Sequence, residues 1–124
     1  MTVLPATAAP RYELGGVTFT GLAAPSRGSS ENAVWRIRIP TADPGRPHRL
    51  DHEEIIVALA GRAVATLDGE EHDVNTGDTV IVRAGTAFAL RAADGDGFEG
   101  LAVLAAGATA CFPGGEPFTP PWCA

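Results

Sequence analysis

Turn-forming residues recur every 8 to 12 positions along most of this chain, and no segment between them carries an apolar stripe over three helical turns. Short apolar runs cut at that interval cannot build helices of useful length. They can build strands, and the cuts supply the reversals of a sandwich or barrel. The clearest run is 33–39, where Trp35, Ile37 and Ile39 alternate with Arg36 and Arg38. Period-two alternation of that length predicts a strand with one buried and one wet face. Further strands are expected over 17–22, 54–59, 63–67, 71–74, 79–82, 87–91 and 98–104. Asp68-Gly69 between two of them predicts a type I′ hairpin, and Asn75-Thr76-Gly77-Asp78 a second turn. The expected fold class is all-β.

A chain of 124 residues suits one domain. Residues 1–10, rich in Ala, Pro and Thr, read as a flexible arm, 11–110 as the barrel and 111–124 as a Pro-rich tail. Phe112, Phe118 and Trp122 are too apolar for a free tail and are expected to lie against the barrel or a partner chain. Residues 25–32 and 40–47 read as loops.

Composition then excludes chemistry. All nine basic residues are Arg. Without lysine there is no Schiff base and no Walker-type phosphate lysine. A net charge of −6 with no basic cluster argues against nucleic acid and against an anionic membrane surface as partners. The apolar stretch 55–60 is far short of the roughly 20 residues that span a bilayer. The opening residues lack the pattern of a secretory signal, so the expected location is the cytoplasm, with Cys111 and Cys123 as free thiols. Imidazoles number three: His48, His52 and His72.

The stretch His48-Arg49-Leu50-Asp51-His52-Glu53-Glu54, followed by Gly61 and then by Gly77 and Gly85, resembles the cupin superfamily. Its first motif runs Gly, five residues, His-x-His, three or four residues, Glu, six residues, Gly. Here His48, Glu54 and Gly61 fit, Leu50 replaces the second His, and Ala42 stands at the first Gly. In its second motif Gly77 and Gly85 fit, while Arg83 replaces Pro, Phe88 replaces His and Ala92 replaces Asn. The resemblance spans roughly residues 31–107. It implies a double-stranded β-helix, the cupin jelly-roll barrel, and, by habit of small cupins, a homodimer.

Metal-binding members of that family hold iron, manganese, zinc or nickel with three His and one Glu, and two of those four positions survive here. The expectation is therefore no cofactor. A divalent metal stays open as an alternative through His48, His52 and Glu54, which share parity and would all face inward on an unbroken strand. The opposing expectation places His52 in a turn near the rim.

Without metal, Leu50 and Phe88 make an apolar pocket floor under two polar groups, His48 and Glu54, the expected catalytic pair. Desolvation beside Leu and Phe should raise the Glu54 pKa, and a neighbouring His⁺ would oppose that rise. The same two residues also suit a satisfied pair in a filled barrel. Trp35 is a candidate for the pocket mouth or for the core. Arg36 and Arg38 are candidates for a carboxylate ligand or for a solvated face, and of the two Arg38 is carried forward as ligand-binding. His72 and Glu53 are expected in solvent, and Cys111 has no sequence partner that would make it a nucleophile.

Three functions follow. The first is a metal-independent isomerase, cyclase or lyase/dehydratase using Glu54 and His48 on a small organic molecule. The second is a metal-dependent oxygenase, and the third a non-catalytic small-molecule binding protein. The lysine-free, Ala- and Arg-rich composition looks like that of a GC-rich bacterium, in which small metal-depleted cupins resemble accessory enzymes of specialised metabolism.

Overall fold

Alternating runs become strands throughout the computed structural model, which describes residues 2–124. In chain order the strands are β1 (Arg11–Leu14), β2 (Val17–Ala23), β3 (Asn32–Ile39), β4 (Arg49–Leu50), β5 (Glu54–Ala60) and β6 (Ala63–Leu67). They continue as β7 (Glu70–Val74), β8 (Thr79–Val82), β9 (Phe88–Ala92), β10 (Phe98–Ala105) and β11 (Ala110–Cys111). One six-stranded antiparallel sheet has the order β1-β2-β3-β10-β5-β8. A three-stranded sheet, β7-β6-β9, and the short pair β11-β4 complete an all-β jelly roll. Their inner faces share one core, in which Trp35, Ile56, Leu90 and Phe98 are buried together.

The hairpin between β6 and β7 shows how local chemistry sets the register. Asp68 and Gly69 both take positive φ, 49° and 85°, as a type I′ turn demands. The strands on either side then pair from Leu67 with Glu70 to Ala63 with Val74.

The inner face of the large sheet is built in rows across the strands. Ala33, Leu104, Glu54 and Val82 are consecutive partners in one row. Trp35, Ala102, Ile56 and Val80 form the next. A carboxylic acid therefore occupies one slot of an otherwise apolar row. The outer face of β3 carries Arg36 and Arg38, both exposed, as the alternation requires.

The period breaks between Leu50 and Glu54. Residues 51 and 52 form a bend, held where the Thr109 backbone N–H donates to Asp51 Oδ1 at 2.8 Å. The unbroken strand that would have turned His52 inward does not form.

Three short strands were not expected. β1 does alternate, with Tyr12 and Leu14 facing the barrel and Arg11 and Glu13 outward, but over four residues only. β4 and β11 are two residues each, below any detectable period. The expected N-terminal arm begins at Met1, which lies outside the described residues; residues 2–8 are exposed, with a 3₁₀ turn over Ala6–Ala8.

The C-terminal segment crosses one end of the barrel. Ala110 and Phe118 exchange backbone hydrogen bonds of 2.7 and 2.9 Å, and Gly107 N–H donates to Cys123 O at 2.9 Å. The Trp122 indole stacks on Phe19, with ring centroids 3.7 Å apart and planes 4° from parallel.

Candidate active site

A cavity of about 140 Å³ opens at this end of the barrel. Its walls come from β2, β3, β5, β9 and β10, and its cover from the C-terminal segment through Phe112, Phe118, Pro120 and Trp122. The barrel is thus not filled.

Glu54 is 5% exposed, the buried charged residue among those described, and it lines the cavity. No hydrogen bond or ion pair to another side chain holds it. Burial alone pushes its pKa up to about 8, because desolvation penalises the charged form. At neutral pH Glu54 is a carboxylic acid with a proton to give.

His48 lies on the same cavity, and its Nδ1 is 2.8 Å from the carbonyl of Arg46. A carbonyl only accepts, so Nδ1 carries the hydrogen and Nε2 keeps the lone pair. Burial, set against that hydrogen bond and aided by the Arg46 charge, lowers the His48 pKa. The ring tilts against Phe88 at 4.3 Å between centroids. His48 is therefore a neutral base of fixed tautomer. Glu54 and His48 share the cavity without bonding to each other, which excludes the satisfied pair.

Leu50 and Phe88 line the cavity and are buried at 5% and 3% exposure, the apolar floor expected of them. Trp35 is a wall residue, 3% exposed, and its Nε1 hydrogen has no partner. A buried unpaired donor of this kind costs about 1–3 kcal/mol.

Two expected ligand-binding residues are elsewhere. Arg38 is on the outer face of β3, where its Nη2 donates to Asp96 O at 3.4 Å. Strand parity sends it away from the cavity that Ile37 and Ile39 face. His52 is exposed in the bend after β4, its Nδ1 2.8 Å from Asp51 Oδ1. Shared parity failed as a guide there because it was counted across a break.

The ligand set His48, His52 and Glu54 does not assemble, because His52 is exposed and off the cavity. Among the described residues no three His, Cys, Asp or Glu side chains come together as ligands. With His52 outside, the inner wall offers one imidazole and one carboxyl, His48 and Glu54, with Asp43 apart at the rim. Two converging side chains are a poor fit for a divalent metal.

Cys123 is fully buried and free. Burial, then the charges of Glu54 and Asp51, push its thiol up to about 11. It stays protonated and is no nucleophile.

Sequence reasoning missed several wall residues. Phe19, Ile37 and Leu90 line the cavity, and Arg46 stands at its rim with its guanidinium carbon 4.2 Å from the centre of the Phe112 ring. The parity of β2 was the available signal for Phe19. Nothing local marks Arg46, which sits in an irregular loop.

The family model described as Cupin domain matches residues 35–104. No curated protein matches the sequence. Among solved structures, the polyketide cyclase RemF from Streptomyces resistomycificus superposes with a TM-score of 0.71 at 17% identity, covering 85% of this chain and 79% of that one. A sugar phosphate isomerase from Silicibacter pomeroyi superposes at 0.72 and 20% identity, covering 90% and 81%. An RmlC-like cupin from Shewanella frigidimarina gives 0.70 at 14% identity, covering 82% and 87%. At these identities the likeness is one of fold.

Proposed function

The chain belongs to the cupin family, and from that premise we propose that it catalyses metal-independent proton transfer on a small organic molecule held in the barrel. The reaction is of isomerase, cyclase or lyase/dehydratase type. One observation carries the reading: a buried, unpartnered, protonated Glu54 and a neutral His48 with a free Nε2 line the same cavity. Environments that push two titratable groups in these directions assign one as acid and the other as base.

In an isomerisation, His48 Nε2 removes the proton on the carbon beside a carbonyl. Glu54 O–H donates to the carbonyl oxygen, giving an enol, a carboxylate and an imidazolium. Where a second double bond is conjugated, the enol is a dienol. Its hydroxyl then returns its proton to Glu54 as the imidazolium Nε2–H protonates the γ-carbon, and the double bond moves into conjugation with the re-formed carbonyl. Both residues are reset and no proton is lost. Apolar walls keep competing water from the reacting atoms. Two structures that share this fold are a polyketide cyclase and a sugar phosphate isomerase, and ring closure and isomerisation are reactions an acid and a base in one cavity can serve.

The test is deuterium uptake from D₂O at the carbon beside the carbonyl of acetophenone, with chelator present throughout. Uptake above the buffer rate is expected, falling at least tenfold in Glu54→Gln and in His48→Asn. Wild-type protein that binds acetophenone without exchanging it would instead be a binding protein. Exchange seen in a parallel run without chelator, but absent from the chelated run, would bring back a metal.

The working form is inferred to be a cytoplasmic homodimer. In support, Ile81 is 57% exposed and Leu59 40% exposed, on β8 and β5 of one sheet, and a second copy would cover them. The cysteines are free, as a reducing compartment keeps them.

A further inference from the structure

The cavity walls also point to the chemical class of the ligand, on the reading that this cavity is the working site. The chain has eight aromatic residues, five Phe, two Trp and one Tyr. Six of them, Phe19, Trp35, Phe88, Phe112, Phe118 and Trp122, line this one cavity. Aromatic walls set around a gap favour another ring in stacked or edge-on contact, worth about 0.5–1.5 kcal/mol per pair beyond area burial.

Size narrows the ligand further. The cavity is about 140 Å³, and an apolar hole of about 150 Å³ is filled by one benzene ring. The space inside suits one ring, and anything larger must extend through the mouth.

Polarity narrows it again. The polar groups on the inner walls are Glu54, His48 and the unpartnered Trp35 Nε1. A sugar, with a hydroxyl on nearly every carbon, would leave several without partners, at about 1–3 kcal/mol each. Among the described lining residues Arg46 is the permanent cation, and it is exposed at the rim and already stacked on Phe112. The rim carboxylate, Asp43 Oδ1, accepts from Gly45 N–H at 2.9 Å. Nothing inside neutralises a phosphate or a carboxylate.

We propose that the cavity is a one-ring aryl site: it takes a single, uncharged aromatic ring carrying a hydroxyl or carbonyl oxygen, with that oxygen at Glu54 and any further substituent leaving past Arg46. Both tryptophans of the chain stand on its wall, so their emission reports occupancy.

The experiment is a calorimetric and tryptophan-emission titration at pH 6.5 with phenol, benzoate and glucose 6-phosphate. Phenol should bind one to one and change the emission, at least tenfold tighter than benzoate, with glucose 6-phosphate giving no signal. Ala102→Phe fills the centre of the cavity and should weaken phenol at least tenfold. If that variant does not fold, Leu90→Phe makes the same test from the opposite wall. Equal or tighter binding of benzoate or glucose 6-phosphate overturns the assignment, as does phenol binding that survives the filled cavity in a folded variant. Phenol binding without deuterium exchange would sink the catalytic reading and leave this one standing; exchange into a small aliphatic ketone such as acetone, without phenol binding, would do the reverse.

Discussion

His48 and Phe88 exchange both backbone hydrogen bonds, each 2.9 Å, while their rings tilt together at 4.3 Å. Two positions 40 residues apart in sequence are thereby locked opposite one another. In the family's motifs both are histidine positions, and the pairing shows why a phenylalanine at one of them turns a ligand pair into an apolar contact.

A metal centre should therefore be recoverable. Leu50→His with Phe88→His restores imidazoles at two positions already on the cavity wall, beside His48 and Glu54. The double variant is expected to take up about one equivalent of a divalent metal such as zinc, measured by elemental analysis after dialysis. Uptake equal to that of the wild type would mean that the side chains do not converge.

Glu54 should make stability depend on pH in a definite direction. Its pKa is raised from 4.5 to about 8 in the fold, so the native state holds the proton more tightly than the unfolded chain does. Stability is then greatest below the unfolded pKa and falls as pH rises towards 8. The lowered pKa of His48 acts in the opposite sense below 6.5, which leaves pH 6.5 to 8 as the clean window. Over that span Glu54 removes about 2 kcal/mol. Urea unfolding should show the fall in the wild type and a flat profile in Glu54→Gln; parallel profiles would contradict a buried neutral acid.

Substitutions at His52 and Arg38 separate the structure from the sequence pattern. Both residues are exposed and off the cavity. His52→Ala and Arg38→Ala are each expected to change stability by no more than about 0.5 kcal/mol and to leave deuterium exchange intact. A tenfold loss of exchange in either would return that residue to the site.

Gly61 closes the first motif for a steric reason. A Cβ built there would stand 2.1 Å from the carbonyl oxygen of Gly97, at a φ of +76°. At Gly69 φ is also positive, +85°, but a Cβ would meet nothing within 4 Å. Gly69→Ala should cost about 1–2 kcal/mol, the left-handed backbone penalty alone, and Gly61→Ala clearly more, measured as thermal unfolding of the two variants side by side. Equal losses would show that the strands yield at Gly97.

Much of this was legible one residue at a time. Alternation around Trp35 and the Asp68-Gly69 turn are local, because a strand's pleat and a turn's φ values are properties of adjacent residues. His48, Leu50, Glu54 and Phe88 were legible through motif spacing, and all four line the cavity. For His52 the sequence offered two readings, inward by parity or in a turn near the rim, and the turn is the one that forms. Parity misled because it was carried across the bend at Asp51, which is held by a contact with Thr109, 58 residues away. The cover of the cavity was half visible: the aromatic tail had to pack on something, but its stacking of Trp122 on Phe19 joins the two ends of the chain.

The sequence by itself determined the longer strands, their turns and, within each unbroken strand, which side chains face inward, since each depends on neighbours within a few residues. It also determined the shortage of imidazoles that argues against a metal. Only the tertiary structure decided that Glu54 has no partner, that the Arg46 carbonyl fixes the tautomer of His48, and that the barrel holds a gap the size of one ring. Hydrogen-bond partners, desolvation and empty volume arise from residues far apart in the chain, and they exist only once the sheets have closed.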